Sequence, residues 1–161
     1  MKRTSILLAA FAIAAVMTQS AFAQATATQT VNLTVNSIYK LAVSGNPGAL
    51  TISDMVVGAT TASVSDATSN YSMTTNVASS RMTAQIDAAL PAGLTLTIGL
   101  VGGNGTSAGT VDVSDGTAKD VVTAIARGAA SAQTITYGFT ADASAGAFTG
   151  SRTVTLTLTN P

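Results

Sequence analysis

The side chains of this chain that could do chemistry are few and mostly of one kind. Its seven acidic residues are all Asp, and it has neither His nor Cys. Without those two residue types, the common nucleophile–base pairs and the usual zinc or iron sites cannot be assembled. A carboxylate pair for glycoside hydrolysis is still open to a chain with Asp, but such sites normally stack sugar rings on aromatic side chains. Only four Phe and three Tyr are present, with no Trp. One stretch, VDVSDGTAKD, gathers Asp112, Ser114, Asp115 and Asp120 around a glycine. Hard oxygen ligands at close spacing are what Ca²⁺ prefers, so Asp112, Asp115 and Asp120 form a candidate metal set. They lack the regular spacing and the bidentate Glu of an EF-hand loop, and Asp115-Gly116 reads more simply as a turn. The expectation is a non-enzymatic chain with no cofactor.

The remaining polar features carry less. Asn32-Leu33-Thr34, Asn70-Tyr71-Ser72 and Asn104-Gly105-Thr106 match the glycosylation pattern, as chance allows in a chain rich in Asn, Ser and Thr, and are assigned no role. Arg81, Arg127 and Arg152 read as solvated charges that discourage edge-to-edge aggregation of strands. Net charge is zero, and Lys2 and Arg3 belong to the leader described next, so the rest of the chain is mildly acidic. There is no basic footprint for nucleic acid.

The chain opens with Lys2 and Arg3, continues through the apolar run Ile6 to Val16 and reaches Ala21-Phe22-Ala23. This is the pattern of a secretory signal peptide over residues 1–23, with small residues for the peptidase and Gln24 as the expected mature N-terminus. The run is too short for a membrane span, which needs roughly 20 residues. No transmembrane segment is expected in the mature chain, which has the length of a single domain over 24–161.

The elements that would position these residues are read from a period of two. TVNLTVNSIYKLAVSG places Val31, Leu33, Val35, Tyr39, Leu41 and Val43 on odd positions, with Ser37 the break in phase. Residues 29–43 thus form one long strand, or two joined near Ser37 and Ile38. Asn46-Pro47-Gly48 is a turn signal, and Leu50 and Ile52 open the expected next strand. Tyr71, Met73 and Thr75 alternate, as do Met82, Ala84 and Ile86, and then Leu94, Leu96, Ile98 and Leu100 after the Pro91-Ala92-Gly93 turn. Asn104-Gly105 predicts a tight hairpin leading to Val111 and Val113. Ile135, Tyr137 and Phe139 alternate, and Val154, Leu156 and Leu158 alternate with Thr in a closing strand. The stretch GATTASVSDATSN (58–70) reads as a surface loop, and in TAKDVVTAIARGA Val121, Val122 and Ile125 have helical spacing, which predicts a short helical crossover or a bent strand. Together these predict an all-β sandwich of about eight or nine antiparallel strands with one short helical crossover.

Three segments, YSMTTNVASSRMTAQIDAALPAGLTLTIGL (71–100), TAKDVVTAIARGAASAQTITYGFTADASAG (117–146) and SRTVTLTLTNP, together resemble a loosely defined group of secreted bacterial β-sandwich proteins, mostly uncharacterised and similar in style to fimbrial and spore-coat-U-like subunits. The resemblance implies an immunoglobulin-like sandwich at the cell surface and brings no catalytic residues. The chain departs from chaperone-usher pilins in having no Cys and in ending Thr159-Asn160-Pro161. Its ending is also similar to the last strand of a Gram-positive wall-binding domain, without that domain's Trp.

Two classes of function follow as expectations. The first is a structural subunit of a surface filament, fimbria or coat, self-associating or joined to other surface subunits by β-strand addition, with residues 29–43 as the assembly strand. The same segment could instead be the first strand of its own sandwich. The second class is a monomeric cell-wall- or carbohydrate-binding adhesion module, which would present an aromatic or Asp-lined patch. The closing strand is expected to pair with Ile135–Phe139 or with the N-terminal strand around Val31–Val35.

Overall fold

The computed structural model describes residues 25–160. The expected signal peptide, residues 1–23, lies outside the described residues. Two units are distinguished, one ending at Thr34 and one running from Val35 onward. In the first, residues 25–34 carry no regular secondary structure, and Val31 and Leu33 are exposed.

The second unit is all-β. Its strands are β1 (Tyr39–Ser44), β2 (Thr61–Thr75), β3 (Ser80–Ile86), β4 (Leu94–Leu100), β5 (Thr106–Ser107), β6 (Thr110–Asp112), β7 (Lys119–Ile125), β8 (Gly128–Asp142) and β9 (Val154–Thr159). They form two antiparallel sheets, one in the order β1-β2-β8-β4-β6 and the other β5-β7-β3-β9. Among the described residues no helix is long and apolar enough to cross a membrane.

Alternation builds the core. Met82, Ala84 and Ile86 of β3 face Leu96, Ile98 and Leu100 of β4 and Tyr71 and Met73 of β2, all buried in one apolar cluster. Burying such a side chain contributes about 1.5–3 kcal/mol, and a strand delivers one every second residue. The buried Tyr71 hydroxyl donates to the Val101 carbonyl, and burial pushes its pKa up from the ordinary tyrosine value.

Four expectations are corrected by this architecture. The helical spacing of Val121, Val122 and Ile125 belongs to β7, not to a helical crossover. Between its pairings Ser80↔Ile125, Met82↔Val122 and Thr83↔Asp120, β7 carries extra residues, and Ala124 adopts φ 50°. A bulge turns two consecutive side chains toward the core, so Val121 and Val122 are both buried, which mimics a helical face. The Ser/Thr-rich stretch 58–70 is mostly strand, because β2 begins at Thr61 and pairs with β8 along its whole length. Conversely, Leu50 and Ile52 lie in an irregular segment between β1 and β2 and start no strand.

The fourth correction concerns Asn104-Gly105. After β4 the chain crosses to the opposite sheet, where β5 pairs with β7, and then returns as β6 to pair with β4. Gly103 supplies the positive φ of 57°, while Gly105 meets a packing demand. A Cβ on Gly105 would stand 2.7 Å from the Thr123 carbonyl oxygen and 2.8 Å from Ile125 Cγ1, distances no side chain tolerates.

Candidate functional site

The closing strand β9 pairs with β3 in the register Met82↔Leu158, Ala84↔Leu156 and Ile86↔Val154. Its expected partners, Ile135–Phe139 and the N-terminal segment, are displaced: Ile135–Phe139 lies inside β8, whose two sides are taken by β2 and β4. Val154, Leu156 and Leu158 pack against the core, and Thr155 and Thr157 are exposed. The three aliphatic side chains are nonetheless only half-buried. The reason is positional. β9 is the last strand of its sheet and β1 the last of the other, and among the described residues neither has a partner on its outer edge.

These two edges border the same opening. Between them lies a cleft of about 920 Å³ reaching into the sandwich, with Leu41, Leu96, Ile135, Tyr137, Val154 and Leu156 among its walls. Leu96, Ile135 and Tyr137 are core residues, so the cleft is a core that one flank leaves uncovered. Burial raises the Tyr137 phenol above its ordinary pKa.

Two loops frame the opening. In the loop after β1, Gly48 hydrogen-bonds the Asp66 carboxylate, whose pKa is lowered chiefly by the Thr68 hydroxyl and also by the Thr68 and Gly48 backbone. In the loop before β9, Arg152 donates from Nε to the Ala88 carbonyl at 2.8 Å and from Nη2 to the Ala89 carbonyl at 3.1 Å. The same guanidinium lies 5.4 Å from the Phe148 ring centre. The cleft wall also carries Ser69, a buried residue whose Oγ has no hydrogen-bond partner among the described residues. Ser69 sits at the β2 register shift between Asp66 and Ser69, where the ladder is locally interrupted.

The assembly-strand residues divide into two sets. Tyr39, Leu41 and Val43 lie in β1 and pair within the chain with Thr75, Met73 and Tyr71. For this half of the 29–43 segment the second alternative holds: it is the edge strand of its own sandwich. Val31, Leu33 and Val35 are in no strand and are 68%, 87% and 80% exposed. Between the sets, Asn76 holds residues 36–38. Its Oδ1 accepts from Ile38 N at 2.7 Å, its Nδ2 donates to the Asn36 carbonyl at 2.8 Å, and its own N–H donates to the Ile38 carbonyl at 3.4 Å.

The candidate calcium set is not assembled. Asp112 Oδ1 accepts from Ser114 N at 2.8 Å and Asp115 Oδ1 from Thr117 N at 2.9 Å, each carboxylate closing its own turn. Asp115 Oδ2 also pairs with Lys119 Nζ at 2.7 Å, whereas Asp120 faces Arg81 on β3 at 3.5 Å. The Lys119 hydrogen bond, followed by those from Thr117, lowers the Asp115 pKa to about 2. Among the described residues no group of three acidic side chains converges on a metal position. Turn formation competes for the very oxygens a cation would need.

The cleft, Ser69 and Asn76 are absent from the sequence-based expectations. The cleft depends on which strands end up at the sheet edges, which no local pattern reports, and Asn76 lay unmarked inside the segment 71–100.

Comparison with protein-family models, with curated proteins and with solved structures gives no match to this chain.

Proposed function

We propose that the protein is a non-enzymatic structural subunit of an extracellular filament, fimbria-like fibre or coat, joined to further copies by β-strand addition. One observation carries the reading: a cleft floored by core side chains opens between two strand edges that have no partner among the described residues, and the same chain holds a segment outside any strand with exposed Val31, Leu33 and Val35. An edge strand presents a row of unpaired N–H and C=O groups that another chain can complete. The half-buried Val154, Leu156 and Leu158 repeat every second residue, and so do Val31, Leu33 and Val35. A strand from a second copy laid along β9 would bring three aliphatic side chains to a wall that carries three. On this reading the subunit is an immunoglobulin-like sandwich with one strand position left for its neighbour. Export through the leader ending at Ala21-Phe22-Ala23 would place it outside the cell, at the surface.

Negative-stain electron microscopy of the protein beginning at Gln24, beside a variant lacking residues 25–35, tests this. Regular fibres or chains from the first and none from the second are expected. Persistent monomers of the first across concentration would overturn the reading in favour of a monomeric cell-wall- or carbohydrate-binding module.

A further inference from the structure

We infer that Asn76 is a positioning residue for assembly: it prevents the chain from closing its own cleft and so reserves residues 31–35 for a second copy. The inference rests on the strand-addition reading above and adds what decides between self-closure and exchange.

Self-closure is a real competitor. The segment carrying Val31, Leu33 and Val35 immediately precedes β1, whose outer edge borders the cleft. A hairpin would fold 31–35 back along β1 and fill the opening within one molecule. Such a hairpin needs a connection of about two to five residues. The residues available between Val35 and Tyr39 are Asn36, Ser37 and Ile38.

Asn76 occupies the backbone of that connection. It follows the last residue of β2, and its N–H continues the β1–β2 ladder by one more bond, to the Ile38 carbonyl. Its side chain then takes Ile38 N and the Asn36 carbonyl, groups that a turning chain would have to redirect. Two of the three connecting residues are thereby tied to the residue that follows β2. The clamp is itself anchored: Arg127 Nε donates to the Asn76 carbonyl at 3.0 Å, and Thr75 Oγ1 accepts from Val77 N at 3.1 Å in the turn that follows. An Asn suits the task because its amide offers both an acceptor and a donor from one planar group.

The absence of native Cys makes the test direct. Leu33→Cys is combined in turn with Val154→Cys, Leu156→Cys or Leu158→Cys, covering the possible registers, and the oxidised proteins are run on non-reducing gels. With Asn76 present, a ladder of disulfide-linked chains is expected for at least one pair. Adding Asn76→Ala should shift most of that ladder into an internally bridged monomer band. A flexible four-residue insertion between residues 35 and 36 marks the position of that band. If Asn76→Ala impairs folding, judged by loss of a cooperative melt, Asn76→Asp replaces it: the carboxylate still accepts from Ile38 N but cannot donate to the Asn36 carbonyl, and a partial shift is expected. A ladder unchanged in both variants overturns the role of Asn76 while leaving strand exchange standing. Internal bridges with Asn76 intact, or no bridge in any pair, overturn the exchange reading and the inference with it.

Discussion

Leu158 of β9 stands directly across from Met82 of β3, and Met82 is fully buried. The terminal strand is therefore the roof over one side of β3. Deleting residues 152–161 removes three half-buried aliphatic side chains and exposes the β3 edge. At roughly 1–2 kcal/mol each for partial burial, against a domain stability of about 5–15 kcal/mol, the loss is severe. The truncated protein is expected to be unfolded or aggregated, as judged by circular dichroism and sedimentation. Met82→Ala should cost about 2–5 kcal/mol in denaturant unfolding. An unchanged midpoint in either would contradict this packing.

Ala124 and Ala132 hold φ of 50° and 52°, a left-handed conformation that disfavours a Cβ. Both are exposed and both sit at register shifts, Ala124 in β7 and Ala132 in β8, where its N–H donates to Ser72 Oγ. Relief of roughly 1–2 kcal/mol of backbone strain exceeds the roughly 0.5–1 kcal/mol entropic cost of glycine. Ala124→Gly and Ala132→Gly should each raise stability by up to about 1 kcal/mol, additively, since they lie on different sheets. Thermal melts of the single and double variants check this.

Asp115 should titrate near 2 rather than at its ordinary 3.8. Because the folded-state value is the lower one, its stabilising contribution is complete above about 3.8 and is lost as pH falls toward 2. Carboxyl-resolved NMR titration reads the value directly, and Lys119→Ala should raise it. Excess Ca²⁺ and chelator should give the same melting midpoint, since native-state binding would raise it.

Ser69→Ala removes a buried hydroxyl that has no partner among the described residues. Leaving such a group unpaired costs about 1–3 kcal/mol, so the alanine variant of the monomer should be more stable, by about 1 kcal/mol in urea unfolding. A loss of stability instead would mean that Ser69 is already hydrogen-bonded in solution.

How much of this was legible depends on how local the cause is. Val154, Leu156 and Leu158 face the core as their alternation implies, and the Pro91-Ala92-Gly93 turn is closed by Leu94 N donating to the Pro91 carbonyl. Both follow from neighbouring residues alone. The segment of β7 left a helical crossover and a bent strand both open, and the bent strand is the outcome, because an extra residue in a strand produces the spacing of a helix. Asn104-Gly105 was misread because, although Gly105 N closes a turn on the Gly102 carbonyl, the chain beyond it pairs with β7, and the space around the glycine is set by Thr123 and Ile125 on that strand. Likewise the partner of β9, the cleft and the Asn76 clamp are consequences of sheet order, which pairs residues far apart in sequence.

The pairing of β3 with β9 also sets a timetable. Arg81 must wait for Thr159 and Ile86 for Val154, while Thr61 must wait for Asp142. Topologies dominated by such distant pairings fold in milliseconds to seconds, because chain closure comes before its reward. Until β9 arrives, β3 offers an adhesive border to every other unfinished chain nearby. Crowded, newly emerged molecules are thus at their most vulnerable while β3 stands without β9, and that exposure is set by the order of pairing and not by the stability of the finished fold.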